Sequence, residues 1–178
     1  KLVLAEVKPT ENEHIEFVKV TEKLVRKIKK VAKSLDIKCS PYIGGSFGKV
    51  TYLKGSSDVD VFMRFDKSYD DSDLSKFLEK ILIDSKIKYK KQKGSRDYFS
   101  GIYGPRDYKI EFELVPNRFV SKKSEAVNST DLSPLHVEFL KLKEKNNINL
   151  CDEIRLAKQF FKAQGLYGAE SYICLLYT

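Results

Sequence analysis

Hydrophobic residues in the first part of this chain recur at the spacing of an amphipathic helix. Thr10 followed by Glu13 has the pattern of a capping box, in which each side chain binds the other residue's backbone N–H. The apolar positions beyond this pair are Phe17, Leu24, Ile28, Val31 and Leu35. Their spacing predicts a long helix over residues 11–35, with one face turned toward a core.

Shorter segments rich in β-branched and aromatic residues come next, and they predict strands. The segments are residues 42–43, 59–65, 87–91, 98–103 and 108–115. Residues 104–107, Gly-Pro-Arg-Asp, have the composition of a hairpin turn between the last two. A helix is predicted between the second and third strands, begun by Asp71 or Ser72 as a cap. Its apolar face comprises Leu74, Phe77, Leu78, Ile81 and Leu82.

The pattern changes after Pro116. A polar connection at residues 121–131 leads to two helical patterns, at 134–145 and 150–164, and Gly165 stands where a helix ends. We therefore expect two domains: a sheet-containing domain over residues 1–120 and a helical segment over residues 121–178, which stops abruptly and has the look of a truncated domain.

Two aspartates interrupt the most apolar of the predicted strands. Asp58 and Asp60 are two residues apart, so on a strand they point to one face while Val59 and Val61 point to the other. Two unpaired carboxylates on a half-buried face are costly, and a cation would offset that cost. Their hard oxygens suit Mg²⁺ or Mn²⁺. The alternative is that both lie at a strand end, simply surrounded by water.

A second carboxylate pair, Glu111 and Glu113, shares one face of a later strand. If the two strands are neighbours, one glutamate completes a cluster of three carboxylates, as two-metal nucleotidyl transfer requires. Upstream, Gly45 allows the backbone to approach a phosphate closely, and Ser46 can donate hydrogen bonds to it. Lys49 adds a positive charge just beyond.

The composition is that of an ordinary globular chain with an excess of positive charge. Lys and Arg number 33 against 25 Asp and Glu, which gives a net charge of +8 and favours polyanionic partners such as nucleic acid or nucleotides. Cys39, Cys151 and Cys174 are scattered and odd in number, so we expect reduced thiols and a cytoplasmic protein. No apolar run approaches the roughly 18 residues that a membrane span needs, so no membrane association is expected.

Four segments together resemble one family. "GGSFGKVTYLKGSSDVDVF" (44–62) resembles the archaeal, class I, CCA-adding enzymes of the DNA polymerase β-type nucleotidyltransferase superfamily. "KIEFELVPNRF" matches the family's third-carboxylate strand. "AVNSTDLSPLHVEFL" and "RLAKQFFKAQGLYGAE" are similar to its next two segments, in the same order.

The resemblance implies an α+β fold, in which a polymerase β-type head with a mixed sheet and flanking helices precedes an α-helical neck. It implies addition of C and A nucleotides from CTP and ATP to the 3′ end of tRNA, with two Mg²⁺ ions or with Mn²⁺ in their place. Catalysis and metal binding would fall to Asp58, Asp60 and Glu113. Nucleotide binding would fall to Gly45, Ser46, Lys49, His136, Lys158 and Tyr167.

The chain departs from the family pattern at several places. Glu113 stands where the family has Asp, Lys49 where it usually has Arg, and the family continues well beyond Glu170. We therefore expect either a fragment or a reduced relative, with a second chain or a homo-oligomer as a possible source of the rest. Two alternative functions stay open: a transferase that makes poly(A) or oligoadenylate, and a catalytically weak module that binds RNA or nucleotides.

Overall fold

The strands of this protein form one mixed sheet, flanked by helices, in a computed structural model that describes residues 2–69 and 71–167. The strands are β1 (Cys39–Ile43), β2 (Asp58–Phe65), β3 (Lys90–Gln92), β4 (Tyr98–Tyr103) and β5 (Ile110–Arg118). The helices are α1 (Leu2–Val7), α2 (Glu11–Ser34), α3 (Gly45–Gly48), α4 (Leu74–Asp84), α5 (Ser133–Asn146) and α6 (Leu150–Ala163). The α+β prediction, with the helical segment at the end, is confirmed.

The sheet has the order β1-β2-β5-β4-β3, and only β2 and β5 run parallel to each other. The β4–β5 pair is the antiparallel hairpin that residues 104–107 predict. The alternation on β2 is also as predicted, because Val59, Val61 and Met63 are almost fully buried. The aspartates therefore occupy the opposite face of the sheet.

Helix α2 covers the apolar face of the sheet and begins with the predicted capping box. The Glu13 backbone N–H donates to Thr10 Oγ1 at 3.3 Å, and the Thr10 N–H donates to Glu13 Oε2 at 2.8 Å. Leu24 and Ile28 on its inner face are fully buried in the core with residues of α4 and the sheet. Within residues 2–69 and 71–167, the structure contains no helix with both the length and the apolar character of a membrane span.

The predicted start of α4 is wrong. The helix begins at Leu74, after a 3₁₀ turn over Asp71–Asp73, and its N-cap residue Asp73 makes no side-chain capping bond. The carboxylate of Asp71 instead binds the guanidinium of Arg96. Arg96 is buried, and a buried cation requires opposite charge more strongly than an exposed helix end requires a cap.

The third strand is also shorter than predicted, beginning at Lys90 instead of residue 87. Lys86 has a φ of 50° in the turn that follows α4, and the Ile87 N–H donates to the carbonyl of Leu82 at 3.3 Å. Ile87 is thus buried as part of the helix end. The Ile87 side chain packs in the core although its backbone does not pair with β4.

A buried ion pair joins the connection before α5 to the sheet. Arg96 donates to the two carboxylate oxygens of Asp131 at 2.5 and 3.1 Å, and both side chains are almost inaccessible to solvent. Asp131 also accepts the backbone N–H groups of Arg118, Val127 and Asn128. This network fixes the connection that leads into α5 against the end of β5.

Candidate active site

Three carboxylates converge where β2 and β5 run side by side. In the parallel register Asp60 lies opposite Glu113, and Asp58 lies opposite Glu111. Neighbouring strands are about 4.8 Å apart, so Asp58, Asp60 and Glu113 form a continuous acidic patch on one face. The two carboxylate strands are therefore neighbours, as the three-carboxylate cluster requires. On its other side β5 pairs with β4, where Glu113 lies opposite Ser100 and Glu111 opposite Ile102.

The acidic patch has too little opposite charge around it. The pKa of Asp60 is raised to about 6, first by burial and then by repulsion from Glu113 and Asp58, with Lys49 only partly opposing this. The pKa of Glu113 is also raised, by desolvation and by the charge of Asp58. Ser56 Oγ lies 3.1 Å from Asp58 Oδ2 and donates to it. A bound cation would stabilise the ionised form of all three groups.

The Gly-Ser segment packs directly against Asp60. Gly45 has a φ of 56°, and a Cβ placed there would lie 1.6 Å from Asp60 Oδ2. Only glycine therefore fits between the loop and the carboxylate. Residues 45–48 form the single turn α3, and Lys49 follows it, half-buried and close enough to Asp60 for its charge to be felt. The loop thus brings Ser46 and Lys49 beside the acidic patch.

Two cavities meet at the carboxylates, and each is of nucleotide size. The first, of about 760 Å³, extends from the Gly-Ser loop to helices α5 and α6. Its lining includes Ser46, Lys49, Thr130, Ser133, His136, Lys158, Lys162 and Tyr167. The second, of about 740 Å³, extends the other way over β4 and is lined by Lys88, Tyr89, Lys90, Ser100, Gly101 and Ile102. Asp58, Asp60 and Glu113 line both cavities.

The three residues beyond Pro116 that the resemblance singles out all line the first cavity. The amine of Lys158 is buried and donates to the carbonyl and the hydroxyl of Thr51 at 3.3 and 3.2 Å. Burial and the nearby charges of Lys49 and Arg155 lower its pKa to about 8. His136 lies at the rim, where burial and two lysines lower its pKa. Tyr167 completes the lining, and burial raises its pKa.

Sequence reasoning missed one buried cation beside this cavity. Arg155 is almost fully buried and donates to the backbone carbonyls of Val50 and Tyr52 and to the carboxylate of Asp152. It stands three residues before Lys158, on the same face of α6. That spacing was available in the sequence, but the acceptors are backbone carbonyls, which no residue pattern reveals.

The donor chemistry of the acidic patch fits a hard divalent cation. Three carboxylates on one face supply the oxygen ligands that Mg²⁺ and Mn²⁺ prefer, and two of them have raised pKa values. Within residues 2–69 and 71–167, no three acidic, histidine or cysteine side chains already form a group that could hold a metal ion. The carboxylates therefore have the right chemistry for the cation and lie on the same face of the sheet. Small side-chain movements would be needed for them to bind it.

Comparison with known protein families shows which family the chain belongs to. Residues 25–140 match the model of the nucleotidyltransferase domain family, and the chain belongs to that family. The matched range contains the Gly-Ser loop, both carboxylate strands and His136. Nucleotidyltransferases generally use divalent metal ions, which agrees with the donor chemistry of the acidic patch.

The chain is also similar in sequence to individual CCA-adding enzymes. The chain is 36% identical to the CCA-adding enzyme of Nanoarchaeum equitans (strain Kin4-M), over 74% of this chain and 31% of that protein. It is 31% identical to the CCA-adding enzyme of Methanococcus maripaludis (strain C7), over 98% of this chain and 40% of that protein. The chain thus spans less than half of the length of either relative.

A solved structure shares the fold. The Cid1 poly(U) polymerase bound to Mg 3′-dATP superposes with a TM-score of 0.71 at 15% identity, covering 98% of this chain and 50% of that one. At this level of identity the likeness concerns the fold alone. The predicted kinship with the archaeal CCA-adding enzymes and with the polymerase β-type fold is confirmed.

Proposed function

We propose that this protein is a template-independent nucleotidyltransferase that adds C and A nucleotides from CTP and ATP to the 3′ end of tRNA. The observation that carries the proposal is the register of β2 and β5, which brings Glu113 opposite Asp60 between two cavities of nucleotide size. The similarity to CCA-adding enzymes supports the choice of tRNA. The net charge of +8 suits a nucleic-acid substrate.

The triphosphate would occupy the cavity that the Gly-Ser loop and the helices share. Its lining concentrates cations and donors, namely Ser46, Lys49, His136, Lys158 and Tyr167, on one side of the acidic patch. Ser46 and the loop backbone would donate to phosphate oxygens, which Gly45 allows to approach closely. Lys49 and Lys158 would neutralise the negative charge, and His136 and Tyr167 would orient the phosphates and sugar.

Asp58, Asp60 and Glu113 would hold divalent ions between the two substrates. Such ions lower the pKa of an attacking hydroxyl and neutralise the charge on departing pyrophosphate. The acceptor end of the RNA would lie in the second cavity, where Lys88 and Lys90 oppose its phosphates. The 3′ oxygen would form a bond to the α-phosphorus as the bond to the β-phosphate oxygen breaks, and the hydroxyl proton would leave to solvent.

Residues 1–120 would form the catalytic head and residues 121–178 the beginning of the neck. The support is the position of the nucleotide cavity, whose lining comes from the Gly-Ser loop on one side and from α5 and α6 on the other. The rest of the tRNA would be bound by a longer chain of which these residues are a piece, by a second chain or by a homo-oligomer. The activity would be cytoplasmic, because the cytoplasm holds both tRNA and nucleoside triphosphates.

Incorporation of labelled CTP and ATP into a tRNA transcript lacking its CCA end tests the proposal. With Mg²⁺, the wild type should extend the transcript by C, C and A and then stop, and chelation should prevent extension. Asp58→Asn should be inactive under the same conditions. If the wild type incorporates neither CTP nor ATP, the proposal is overturned.

A second candidate function is addition of a homopolymer to RNA, because a poly(U) polymerase shares this fold. The same assay separates the two functions, because a homopolymerase would extend RNA in the presence of a single nucleotide and would not stop after three additions. A module that only binds would retain nucleotide or RNA without extending it.

A further inference from the structure

Val50 has a backbone conformation that its side chain disfavours. Its φ is 57°, in the left-handed region, where a β-branched residue is a genuine outlier. The Val50 side chain is exposed, so side-chain packing does not compensate for this conformation. Residues held in such regions persist when the surrounding structure over-determines them, and they cluster at functional sites. Val50 directly follows Lys49 of the Gly-Ser loop.

One side of this turn is tied to the Gly-Ser loop itself. The Val50 N–H donates to the carbonyl of Phe47 at 3.0 Å, and the Thr51 N–H donates to the carbonyl of Ser46 at 2.9 Å. The conformation of residues 50–52 therefore determines where Ser46 and Lys49 lie relative to the carboxylates.

The other side of the turn is tied to α6 by two cations. Arg155 donates through Nη2 to the carbonyl of Val50 and through Nε to the carbonyl of Tyr52 at 3.1 Å, while Lys158 binds the carbonyl of Thr51. Three successive carbonyls are thus held from one face of one helix. The planar fork of arginine suits two acceptors at fixed spacing, which a lysine amine on its flexible stem does not reproduce.

All three nitrogens of the Arg155 guanidinium are hydrogen-bonded within the protein. Its remaining donor, Nη1, binds Asp152 at 2.5 Å, and Asp152 is bound in turn by Lys8 at 2.8 Å. The guanidinium is almost fully buried, and Arg155 is not among the described residues that line the nucleotide-sized cavity. It therefore reaches the cavity only through the backbone that it holds.

We propose that Arg155 is a positioning residue that holds the strained Val50 turn, and through it Ser46 and Lys49, in the geometry that binds a nucleoside triphosphate. Helix α6 then does two things: Lys158 faces the cavity, and Arg155 fixes the loop opposite. The inference rests on the proposed function to the extent that the loop binds nucleotide.

The first experiment measures nucleotide affinity in Arg155→Lys and Arg155→Met. Mg·ATP and Mg·CTP binding would be followed by calorimetry, with far-UV circular dichroism and thermal unfolding to confirm that each variant is folded at the assay temperature. Both variants should bind at least tenfold more weakly than the wild type, and KM should rise more than kcat falls. Glu153→Gln, an exposed position on the same helix, is the matched control and should bind normally. Wild-type affinity in folded Arg155→Lys would overturn the proposal.

The second experiment uses the strain itself. Val50→Gly removes the steric penalty, because glycine adopts positive φ without a Cβ clash. Alone, it should change nucleotide affinity by less than about threefold. Combined with Arg155→Lys, it should recover at least threefold of the lost affinity, since the turn no longer needs to be held against its preference. A purely structural role of Arg155 predicts no such recovery, and its absence would overturn the proposal.

Nucleotide addition to tRNA and the positioning role of Arg155 can be tested separately. If the wild type binds Mg·ATP or Mg·CTP but adds nothing to tRNA, the proposed function fails while the role of Arg155 is still measured by affinity. If the wild type adds nucleotides and the Arg155 variants bind normally, only the positioning role fails. Absence of nucleotide binding by the wild type overturns both.

Discussion

Asp60 lies directly opposite Glu113 across the parallel β2–β5 pair, at the junction of the two cavities. The two carboxylates come from segments fifty-odd residues apart, and no cation of the described residues forms a direct ion pair with either one. Lys49 opposes the charge of Asp60 only at longer range. The pair therefore destabilises the protein by repulsion and desolvation.

Asp60→Asn should remove activity and raise stability. The pKa of Asp60 is about 6 in the folded protein against an ordinary value of 3.8, so its charge costs about 2–3 kcal/mol above pH 6. In metal-free buffer at pH 8 the variant should be more stable than the wild type by this amount, measured by urea unfolding. The difference should shrink as the pH falls from 6 to 4, because the wild-type carboxyl is then neutral in the folded state.

Glu113→Gln and Glu113→Asp separate charge from reach at the third carboxylate. The glutamine keeps the size and removes the charge, so nucleotide addition should fall by about a hundredfold or more. The aspartate keeps the charge and shortens the side chain by one methylene. A displacement of about 1 Å can itself cost up to a hundredfold, so Glu113→Asp should lose activity but remain above Glu113→Gln. Equal activity in all three forms would exclude Glu113 from the site.

Nucleotide affinity should depend on the charge of Lys158. Burial and neighbouring cations lower the pKa of its amine to about 8, so the free protein loses this charge as the pH rises through 8. The dissociation constant for Mg·ATP should therefore rise between pH 7.5 and 9.5, by up to about tenfold per pH unit. Lys158→Met should bind weakly at pH 7.5 and should lose this part of the pH dependence. A dissociation constant that does not change over this range would contradict the prediction.

The ion pair of Arg96 and Asp131 should be essential for stability. Removing one partner of a buried pair leaves an uncompensated charge, so Arg96→Met should cost about 3–5 kcal/mol. The double variant Arg96→Met/Asp131→Leu should recover little, because Asp131 also satisfies three backbone N–H groups. Lys76→Met removes an exposed pair with Asp73 and is the matched control, with a change of less than about 1 kcal/mol. Chemical denaturation measures all three.

The local features of this protein follow from its sequence because they depend on neighbours along the chain. The shared face of Asp58 and Asp60 follows from the two-residue period of a strand, and the start of α2 from the pairing of Thr10 with Glu13. The hairpin after residue 103 follows from its turn residues. Each of these depends on contacts within a few residues, where residue type is informative.

Tertiary structure alone decided what meets at the site. The parallel pairing of β2 with β5 places Glu113, and not Glu111, opposite Asp60, because register is a property of two distant segments. Asp71 resembles a helix cap in the sequence, but its carboxylate instead binds buried Arg96, 25 residues away. Arg155 reaches backbone carbonyls more than a hundred residues distant, and every residue type carries the same carbonyl. Such contacts carry no signature in the residue pattern, so only the folded chain reveals them.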